Sequence, residues 1–379
     1  MRVIFLTHNF PRFVGDVSGA FLAVLARGLQ RRGVEVRVVA PSDGGDVGAS
    51  DLEGIPVRRV RYATPGREQL AYRGTMAETG RSLAGARTAA ALVRAMRRAA
   101  REEVALGADL IHAHWWVPAG MAAPRSVPVV VTIHGTDAAM LERSALARFL
   151  ARRVLRSATV VTAVSDSAAA RISRFTGRQV DAAHIHPMPV ETRLFGQKGT
   201  GGKGMIVVGR LTAQKRVDLA IRALAALARP GLTLTILGDG PERSRLEGRV
   251  TSLGLEGRVR FLGAQPPERV AAELAGADVA LFPAAGEGFG LSAAEALMMG
   301  VPVVACHDGG GVLSVVPASG AGRRADPSAQ SLARAASELL GDPGAREAAW
   351  RDGQRWREQL SPEHAAEACE GWYREALGA

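Results

Sequence analysis

The sequence predicts an α/β protein with two parallel-sheet domains of the Rossmann type that face an interdomain cleft. Apolar strands alternate with helical segments along the chain, and this alternation stops at the glycine-rich residues 196–204 and then starts again. The length of 379 residues also exceeds that of an ordinary single core. We therefore expect an N-terminal domain at 1–195, a linker at 196–204, and a C-terminal domain at 205–359. A final helix, 360–379, is expected to return to the first domain.

The first half opens with a strand, a glycine-containing loop, a helix and a second strand, which is the order of a βαβ unit. Its strands are nearly continuous runs of Val and Ile, which indicates burial on both faces of the sheet. The predicted strands are 2–7, 34–41, 109–114, 127–135 and 158–165, and the predicted helices are 21–33, 80–105 and 141–156. Ligands of such sheets bind at the carboxyl ends of the strands.

The second half repeats this rhythm. The predicted strands are 205–211, 232–240, 259–264, 278–283 and 301–306, and the predicted helices are 215–228, 241–253, 266–275, 291–299, 328–341, 345–359 and 361–377. Two nucleotide-binding motifs are not met. Lys203 is followed by Gly rather than by the Ser or Thr of a P-loop, and Arg243 stands where a dinucleotide fingerprint needs its third glycine.

Composition narrows the class of protein. Two cysteines offer neither a disulfide framework nor a zinc site, and they favour a reducing, cytoplasmic setting. The first apolar run is too short for a signal peptide, and no 18-residue apolar span follows, so we expect no membrane span. The net charge of +11 comes almost entirely from dispersed arginines, which favours solvated helix faces. Peripheral contact of basic segments such as 145–158 with an anionic membrane stays open, and nucleic acid is not an expected partner.

The most informative stretch is EGFGLSAAEALMMGVPVV, residues 287–304. Its glycines let the backbone approach a ligand closely, and the amides of 289–291 belong to a helix N-terminus, which favours an anion. Glu287 precedes this helix and Glu295 lies about one turn inside it. That spacing fits the two ends of an extended diphosphate ligand better than the paired carboxylates of a glycosidase. From these residues alone, a solvated Glu295 and an incidental Glu287 remain the alternative.

The stretch resembles the Glu-x7-Glu signature of the family 4 glycosyltransferases, the retaining enzymes of the GT-B fold. Other landmarks of that family occur in the correct order along almost the entire chain. They are the glycine loop ending at Gly19, DLIHAHW (109–115), HGTD (134–137), GRLTAQK (209–215), LGDGPER (237–243) and VRFLGA (259–264). The resemblance implies a nucleotide-sugar donor that is bound mainly by the C-terminal domain.

The resemblance also implies a role for each matching donor-side residue. Arg210 and Lys215 would hold the diphosphate, Glu295 would accept hydrogen bonds from the ribose hydroxyls, and Glu287 would contact the donor sugar. Other positions would supply backbone groups to the base, the sugar and the phosphates, and these are Gly263, Phe289, Gly290 and Leu291. No Asp-x-Asp occurs in the sequence. Because two cations and a helix terminus can stabilise the charge of the leaving group, we predict transfer without a metal ion and without another cofactor.

In the first domain the resemblance implies that His134 touches the sugar near the reacting carbon and that Gly19 lets its loop approach the phosphates. His114 and Trp115 are the candidates for contact with the acceptor, whereas His112 is interpreted as a structural residue.

The predicted activity is retaining transfer from a UDP-sugar, with GDP-linked donors left open. The acceptor would be a saccharide, a lipid-linked saccharide or a small molecule, chosen by loops at 42–80 and 114–125. Two alternatives remain: an epimerase or phosphorylase of the same architecture, and a catalytically silent protein that binds nucleotide sugars.

Overall fold

The structure is a computed structural model that describes residues 1–45, 47–72, 82–227 and 229–379. The described chain divides into two compact units. The first unit consists of Met1–Pro189 and Pro362–Ala379, and the second consists of Val190–Ser361. The glycine-rich residues 196–204 thus belong to the second unit, and the C-terminal helix belongs to the first.

Strands and helices alternate through both units. The strands are β1 Arg2–Leu6, β2 Glu35–Pro41, β3 Gly48–Leu52, β4 Ile55–Val60, β5 Leu110–His114, β6 Val129–Ile133, β7 Val160–Ala163, β8 Met205–Val208, β9 Leu234–Leu237, β10 Val259–Gly263, β11 Val279–Phe282, β12 Val303–Cys306 and β13 Gly322–Ala325. The longer helices are α1 Ala20–Arg31, α2 Leu83–Ala105, α3 Thr136–Arg143, α4 Ala145–Arg156, α5 Asp166–Thr176, α6 Val217–Ala226, α7 Arg243–Ser252, α8 Pro267–Gly276, α9 Leu291–Met298, α10 Ala329–Gly341, α11 Ala345–Gln359 and α12 Pro362–Leu377.

The first unit contains a seven-stranded sheet in the order β3-β4-β2-β1-β5-β6-β7. Its pairs are parallel except for the antiparallel hairpin of β3 and β4 at one edge. Strands β5 and β6 are buried along their whole length, as their runs of apolar residues predicted. The hairpin was not predicted, because four of the five residues of β3 are exposed and carry no apolar run.

The second unit contains a six-stranded sheet in the order β10-β9-β8-β11-β12-β13, and every pair in it is parallel. The edge strand β13 has the sequence GRRA, which gives no apolar signal and was not predicted. The prediction of two parallel α/β sheets is confirmed.

In both sheets the strand order changes direction beside the first strand of the unit, which is β1 in the first sheet and β8 in the second. In the first sheet β1 lies between β2 and β5, and in the second sheet β8 lies between β9 and β11. In each unit the chain first adds strands on one side of the opening strand, β1 or β8, and then adds strands on its other side. Ligands of open α/β sheets bind outside the carboxyl ends of the strands at such a switch point. The loops after β1 and β5, and those after β8 and β11, are accordingly the places where a ligand site is expected.

The helix boundaries correct three predictions. A single helix over 141–156 is wrong, because Ser144 is extended and its side chain caps α4 by accepting the Ala147 amide at 3.1 Å. Helix α5 was not predicted. The helix predicted from residue 215 begins only at Val217, because residues 213–215 form a separate turn. The predicted helix ends at 80–81 and at 228 lie outside the described residues.

Helix α12 is fastened to the first unit by several side chains. Trp372 donates from its indole nitrogen to the carbonyl of Ala183 at 2.9 Å, and Arg32 of α1 pairs with Glu370 at 3.0 Å. A Cβ on Gly28 of α1 would lie 2.6 Å from the carbonyl oxygen of Pro362, so the two helices approach closely. This close approach holds the last helix against α1.

Helix α4 lies within the basic segment 145–158, for which peripheral contact with an anionic membrane was left open. Leu146 and Phe149 are about two-thirds exposed, at 66% and 61%, and Arg153 and Arg156 follow on the same face at helical spacing. None of the helices among residues 1–45, 47–72, 82–227 and 229–379 has the length and apolar character needed to cross a membrane.

Candidate active site

In the second unit, the loops after β8 and β11 are joined by an ion pair. Nζ of Lys215 lies 2.6 Å from Oε2 of Glu287, and both side chains are half-buried. The residues on either side of Lys215 make further contacts. Gln214 donates to the carbonyl of Ala285 at 3.0 Å, and Arg216 forms a bidentate pair with Asp308 at 2.6 and 2.8 Å. Sequence reasoning gave Lys215 and Glu287 separate roles and did not anticipate that they contact each other.

The glycines of the signature are required by close backbone packing. The amide of Glu287 donates to the carbonyl of Gly309 at 2.7 Å, and the amide of Gly311 donates to the carbonyl of Glu287 at 2.8 Å. A Cβ on Gly311 would lie 1.9 Å from the carbonyl oxygen of Gly288. Gly290 has a φ of 99°, and a Cβ there would lie 2.7 Å from the side chain of Val312. Larger residues would therefore push the two loops apart.

This packing leaves a set of amides without acceptors at the start of α9. The amides of Phe289, Gly290 and Leu291 donate to no group among the described residues. Lys215, Glu287 and Gly290 line the same pocket, together with Gly209 of the loop after β8. A lysine, a carboxylate and the positive end of a helix thus share one pocket, which suits an anionic ligand with hydroxyl groups.

Two charged side chains near this pocket, Arg210 and Glu295, have no side-chain partner among the described residues. Arg210 follows β8 at the switch point and is exposed, and its side chain forms no hydrogen bond or ion pair with the described residues. Glu295 lies half-buried in α9, and burial raises its pKa to about 7. A carboxyl group that is buried without donors is costly, so a ligand that donates hydrogen bonds to it would be favoured.

The loops after β8, β9 and β10 also meet through glycines. The amide of Gly238 donates to the carbonyl of Gly263 at 2.8 Å, and Gly263 has a φ of 72°. A Cβ on Gly238 would lie 1.9 Å from the carbonyl oxygen of Gly209. The contact of the Gly263 backbone with a base remains a prediction.

In the first unit, histidines occupy the ends of β5 and β6. His112 and His114 alternate along β5 and so lie on one face, with their ring centroids 4.1 Å apart. Both ring nitrogens of His112 are occupied, Nδ1 by the hydroxyl of Tyr373 at 2.8 Å and Nε2 by the hydroxyl of Thr132 at 2.6 Å. Sequence reasoning missed Tyr373, because nothing in a single sequence connects α12 with β5.

The ring of His134 lies against the aromatic side chains of His114, Trp115 and Phe21. Its Nε2 lies 3.2 Å from Nδ1 of His114, and its ring stacks on Trp115 with centroids 4.1 Å apart. His8, in the loop after β1, meets the other side of this group by an edge contact with Trp115 at 4.6 Å. Burial, together with the neighbouring His112 and His8, holds the pKa of His134 well below its ordinary value. The structure therefore brings the predicted His114, Trp115 and His134 together and adds His8.

The position of His134 is fixed by a residue whose role the sequence did not reveal. Asp137 is buried and accepts hydrogen bonds from the amides of Trp116, His134, Gly135 and Ala138 at 3.0–3.1 Å. Burial raises its pKa to about 6, although these amides act in the opposite direction. This carboxyl group ties the loop after β6 to the end of β5.

Trp115 has the backbone conformation φ 70°, ψ 136°, which residues other than glycine rarely adopt. Such a conformation persists only where the surroundings impose it, and it is concentrated at functional sites. Here the amide of Trp115 donates to the carbonyl of Thr132 at 2.9 Å. In this backbone conformation the indole of Trp115 stacks on the ring of His134.

Gly19 stands where the loop after β1 enters α1. Its φ is 70°, and a Cβ there would lie 2.3 Å from the carbonyl oxygen of Asn9. The loop between them is closed by Asp16, which accepts hydrogen bonds from the Arg12 side chain at 2.7 Å and from the amide of Ser18 at 3.1 Å. Gly19 is therefore required by the fold of this loop, whatever ligand approaches it.

Comparison with known proteins places both units in one group. The family described as "Glycosyl transferases group 1" matches residues 192–356, and the "Glycosyl transferase 4-like domain" matches residues 18–191. A 2-deoxystreptamine glucosyltransferase of Streptomyces kanamyceticus is 32% identical over 304 residues, which cover 72% of this chain and 78% of the relative.

Solved structures agree in fold. Sucrose-phosphate synthase from Thermosynechococcus elongatus aligns with a TM-score of 0.82 at 22% identity, covering 100% of this chain and 99% of the neighbour. HepE of Anabaena, solved in complex with UDP-glucose, aligns with a TM-score of 0.72 at 21% identity, covering 98% and 99%. These neighbours confirm the predicted fold class.

Proposed function

The chain belongs to the family 4, or group 1, glycosyltransferases, which are nucleotide-sugar-dependent enzymes of the GT-B fold, and from this premise we propose a specific reaction. The protein transfers a hexose from a UDP-sugar to a hydroxyl group of a saccharide, a lipid-linked saccharide or a small molecule. The anomeric configuration is retained and no metal ion takes part. The complex of HepE with UDP-glucose and the name of the glucosyltransferase relative support this choice of donor.

One observation carries the proposal: Lys215 shares a pocket with Glu287 and with Gly290 of the unpartnered amide series. An ammonium group has three donors, and the contact with Glu287 uses one of them. Nζ can therefore hold Glu287 and a phosphate oxygen at the same time. Glu287, fixed in this way, accepts a hydrogen bond from a hydroxyl group of the donor sugar.

The chemistry follows from where charge develops. As the bond between the anomeric carbon and the diphosphate oxygen breaks, negative charge grows on that oxygen. Lys215, Arg210 and the amides of 289–291 stabilise this charge because they are fixed before the reaction. The acceptor oxygen forms its bond to the anomeric carbon on the same face, and its proton passes to the departing phosphate oxygen. Glu295 accepts hydrogen bonds from the ribose, and His134 contacts the sugar near the reacting carbon.

The proposal is tested by a donor screen that measures thermal stability with and without EDTA. A ligand that binds only the folded state raises the melting temperature by mass action. We expect stabilisation by UDP and UDP-hexoses that EDTA does not reduce, followed by transfer to an acceptor. Loss of transfer upon chelation would contradict the metal-free mechanism. Conversion of the donor without an acceptor would favour an epimerase, and binding without turnover would favour a silent binding protein.

The proposed location is the cytoplasm, and recruitment to the inner face of a membrane would use the exposed face of α4. The two cysteines are free and buried, which suits a reducing compartment. Co-sedimentation of the protein with anionic vesicles, compared with its Phe149→Ser variant, tests the contact with the membrane.

A further inference from the structure

The two ring nitrogens of His134 face different surroundings. Nε2 contacts Nδ1 of His114 at 3.2 Å. Nδ1 of His134 forms no hydrogen bond among the described residues, and it is not one of the polar atoms that are sealed from solvent. Nδ1 is therefore the ring nitrogen that is left for a ligand.

Of the two ring nitrogens that meet, Nδ1 of His114 and Nε2 of His134, only one carries a proton. Burial holds the pKa of His114 and of His134 well below the ordinary value, so both rings are neutral and each carries one N–H. The contact needs one N–H and one lone pair. Either His114 donates from Nδ1 and His134 accepts at Nε2, or the direction is reversed.

The surroundings of His114 decide between these two arrangements. Its Nε2 is buried and has no partner among the described residues. If Nδ1 of His114 accepted the hydrogen bond, the ring proton would be on Nε2, and a buried donor would have no acceptor. Buried N–H groups without an acceptor are rarer in proteins than incompletely satisfied acceptors. The favoured arrangement has the proton on Nδ1 and a bare lone pair on Nε2.

We propose that His114 is a positioning residue that donates from Nδ1 to Nε2 of His134 and thereby holds His134 as its Nδ1–H tautomer. His134 then presents a hydrogen-bond donor to the ligand. The identity of that ligand, the donor sugar, rests on the proposed function. An N–H at this point donates to a hydroxyl, ring or carboxylate oxygen of the ligand and disfavours an N–H or ammonium group.

The ring of His114 can fix its partner because it is itself held. It packs against His112 at 4.1 Å and against the edge of Phe5 at 4.8 Å. His112 is in turn held by the hydroxyl groups of Tyr373 and Thr132. A series of contacts therefore runs from α12 through β5 to the loop after β6, and it restricts the orientation of both histidines.

The tautomer can be observed directly by NMR of the full chain labelled with 15N-histidine. The sequence contains eight histidines, so His134 can be assigned by the signals that are lost in His134→Gln. In the native protein we expect a protonated Nδ1 and an unprotonated Nε2. A native His134 that is protonated at Nε2 overturns the proposal, and this result depends neither on activity nor on the folding of a His114 variant.

Two variants of His114 isolate the hydrogen bond. His114→Phe keeps the planar ring but removes the donor, so His134 should shift toward the Nε2–H tautomer that imidazole prefers in water. His114→Asn places an amide N–H near the position of Nδ1 and should restore the native tautomer. His186→Phe is the control, because His186 is a half-buried histidine of the first unit whose Nδ1 contacts a backbone carbonyl and not His134. An unchanged tautomer in His114→Phe would contradict the proposal.

Kinetics supplies a second readout. His114→Phe should lower kcat about tenfold, and His114→Asn should recover most of it, as expected when one positioned hydrogen-bond donor to the sugar is lost and restored. The affinity for UDP should be unchanged, because the proposed nucleotide contacts lie in the second unit. A native Nδ1–H tautomer without any turnover of nucleotide sugars would support the assignment of His114 and refute the proposed function.

Discussion

The two units build their switch points from opposite kinds of side chain. In the first unit, the loops after β1, β5 and β6 bring together neutral rings, those of His8, His114 and His134, and burial lowers the pKa of each. In the second unit, the loops after β8 and β11 carry Lys215 and Glu287 as an ion pair. The same topology thus supports a neutral site and a charged one. Under the proposed function, the charged loops would meet the diphosphate and the neutral rings would meet hydroxyl groups, an arrangement that avoids burying ions without partners.

The largest expected effect comes from breaking the ion pair. Lys215→Ala should lower kcat/KM for a UDP-sugar by roughly a hundredfold to a thousandfold, because it removes a fixed cation from the site of the leaving charge. Affinity for UDP should fall as well. Glu287→Ala should lower kcat strongly while binding of UDP largely persists. Steady-state kinetics and UDP titrations measure both effects.

The double variant tests whether Lys215 and Glu287 act as a unit. If they do, Lys215→Ala with Glu287→Ala should lose little more activity than Lys215→Ala alone, because removal of the lysine already frees the carboxylate. Losses that simply add would show that the two residues act independently, and the ion pair would then be incidental to catalysis.

The second expected effect concerns Glu295 and pH. Its pKa is raised from 4.5 to about 7 in the folded protein, so the stability gained from its protonated form is present below pH 4.5 and is lost as the pH rises to about 7. At about 1.4 kcal/mol per pH unit, the loss amounts to roughly 3 kcal/mol. Urea denaturation at several pH values should show this decline in the native protein and not in Glu295→Gln.

A bound nucleotide should reverse this trend. Hydrogen bonds from ribose hydroxyls favour the ionised carboxylate, so UDP-glucose should bind the native protein more tightly at pH 8 than at pH 5.5. Glu295→Gln is the control, and its affinity should not follow this pH dependence. Equal pH profiles for the two proteins would remove Glu295 from the nucleotide site.

The third expected effect tests the uncharged unit. Gly19 and Gly177 both have a positive φ, of 70° and 76°, but only Gly19 is crowded, by the carbonyl of Asn9 at 2.3 Å. Ala at Gly177 should cost about 1 kcal/mol from backbone strain alone. Ala at Gly19 should cost roughly 2 kcal/mol more, because the loop after β1 must move. If Gly19→Ala and Gly177→Ala lose equal amounts of stability, the loop after β1 accommodates the added Cβ with little cost.

The sequence predicted the buried part of this fold well and its edges poorly. Runs such as VVVTI in β6 are apolar because both faces of the strand are covered, so they stand out in the sequence. Strands β3 and β13 lie at sheet edges, where the residues are polar and resemble a loop. Ser144 did carry a capping signal, but the apolar periodicity on both sides of it concealed the break.

The sequence likewise predicted the residues of the candidate site but not the contacts between them. Motifs located Lys215, Glu287, His114 and His134, because each lies in a stretch that resembles the family pattern. Their contacts with one another depend on how loops 72 or 20 residues apart meet, and a single sequence does not encode this in any local pattern. The hydrogen bond between His114 and His134 therefore required coordinates.

The smallest expected effect sharpens the contrast between the charged and the neutral site. Arg210 has no partner among the described residues, so Arg210→Ala should leave the stability unchanged. It should weaken binding of UDP about tenfold, which is the range of a hydrogen bond to a charged group, and it should reduce the salt dependence of binding. Arg222→Ala is the matched control, since Arg222 is an exposed arginine of α6. A variant of the neutral site, His134→Gln, should lower turnover without altering that salt dependence. If Arg210→Ala and Arg222→Ala bind UDP equally well, Arg210 does not contact the diphosphate, and the charge of the second site resides in Lys215 and the amides of α9.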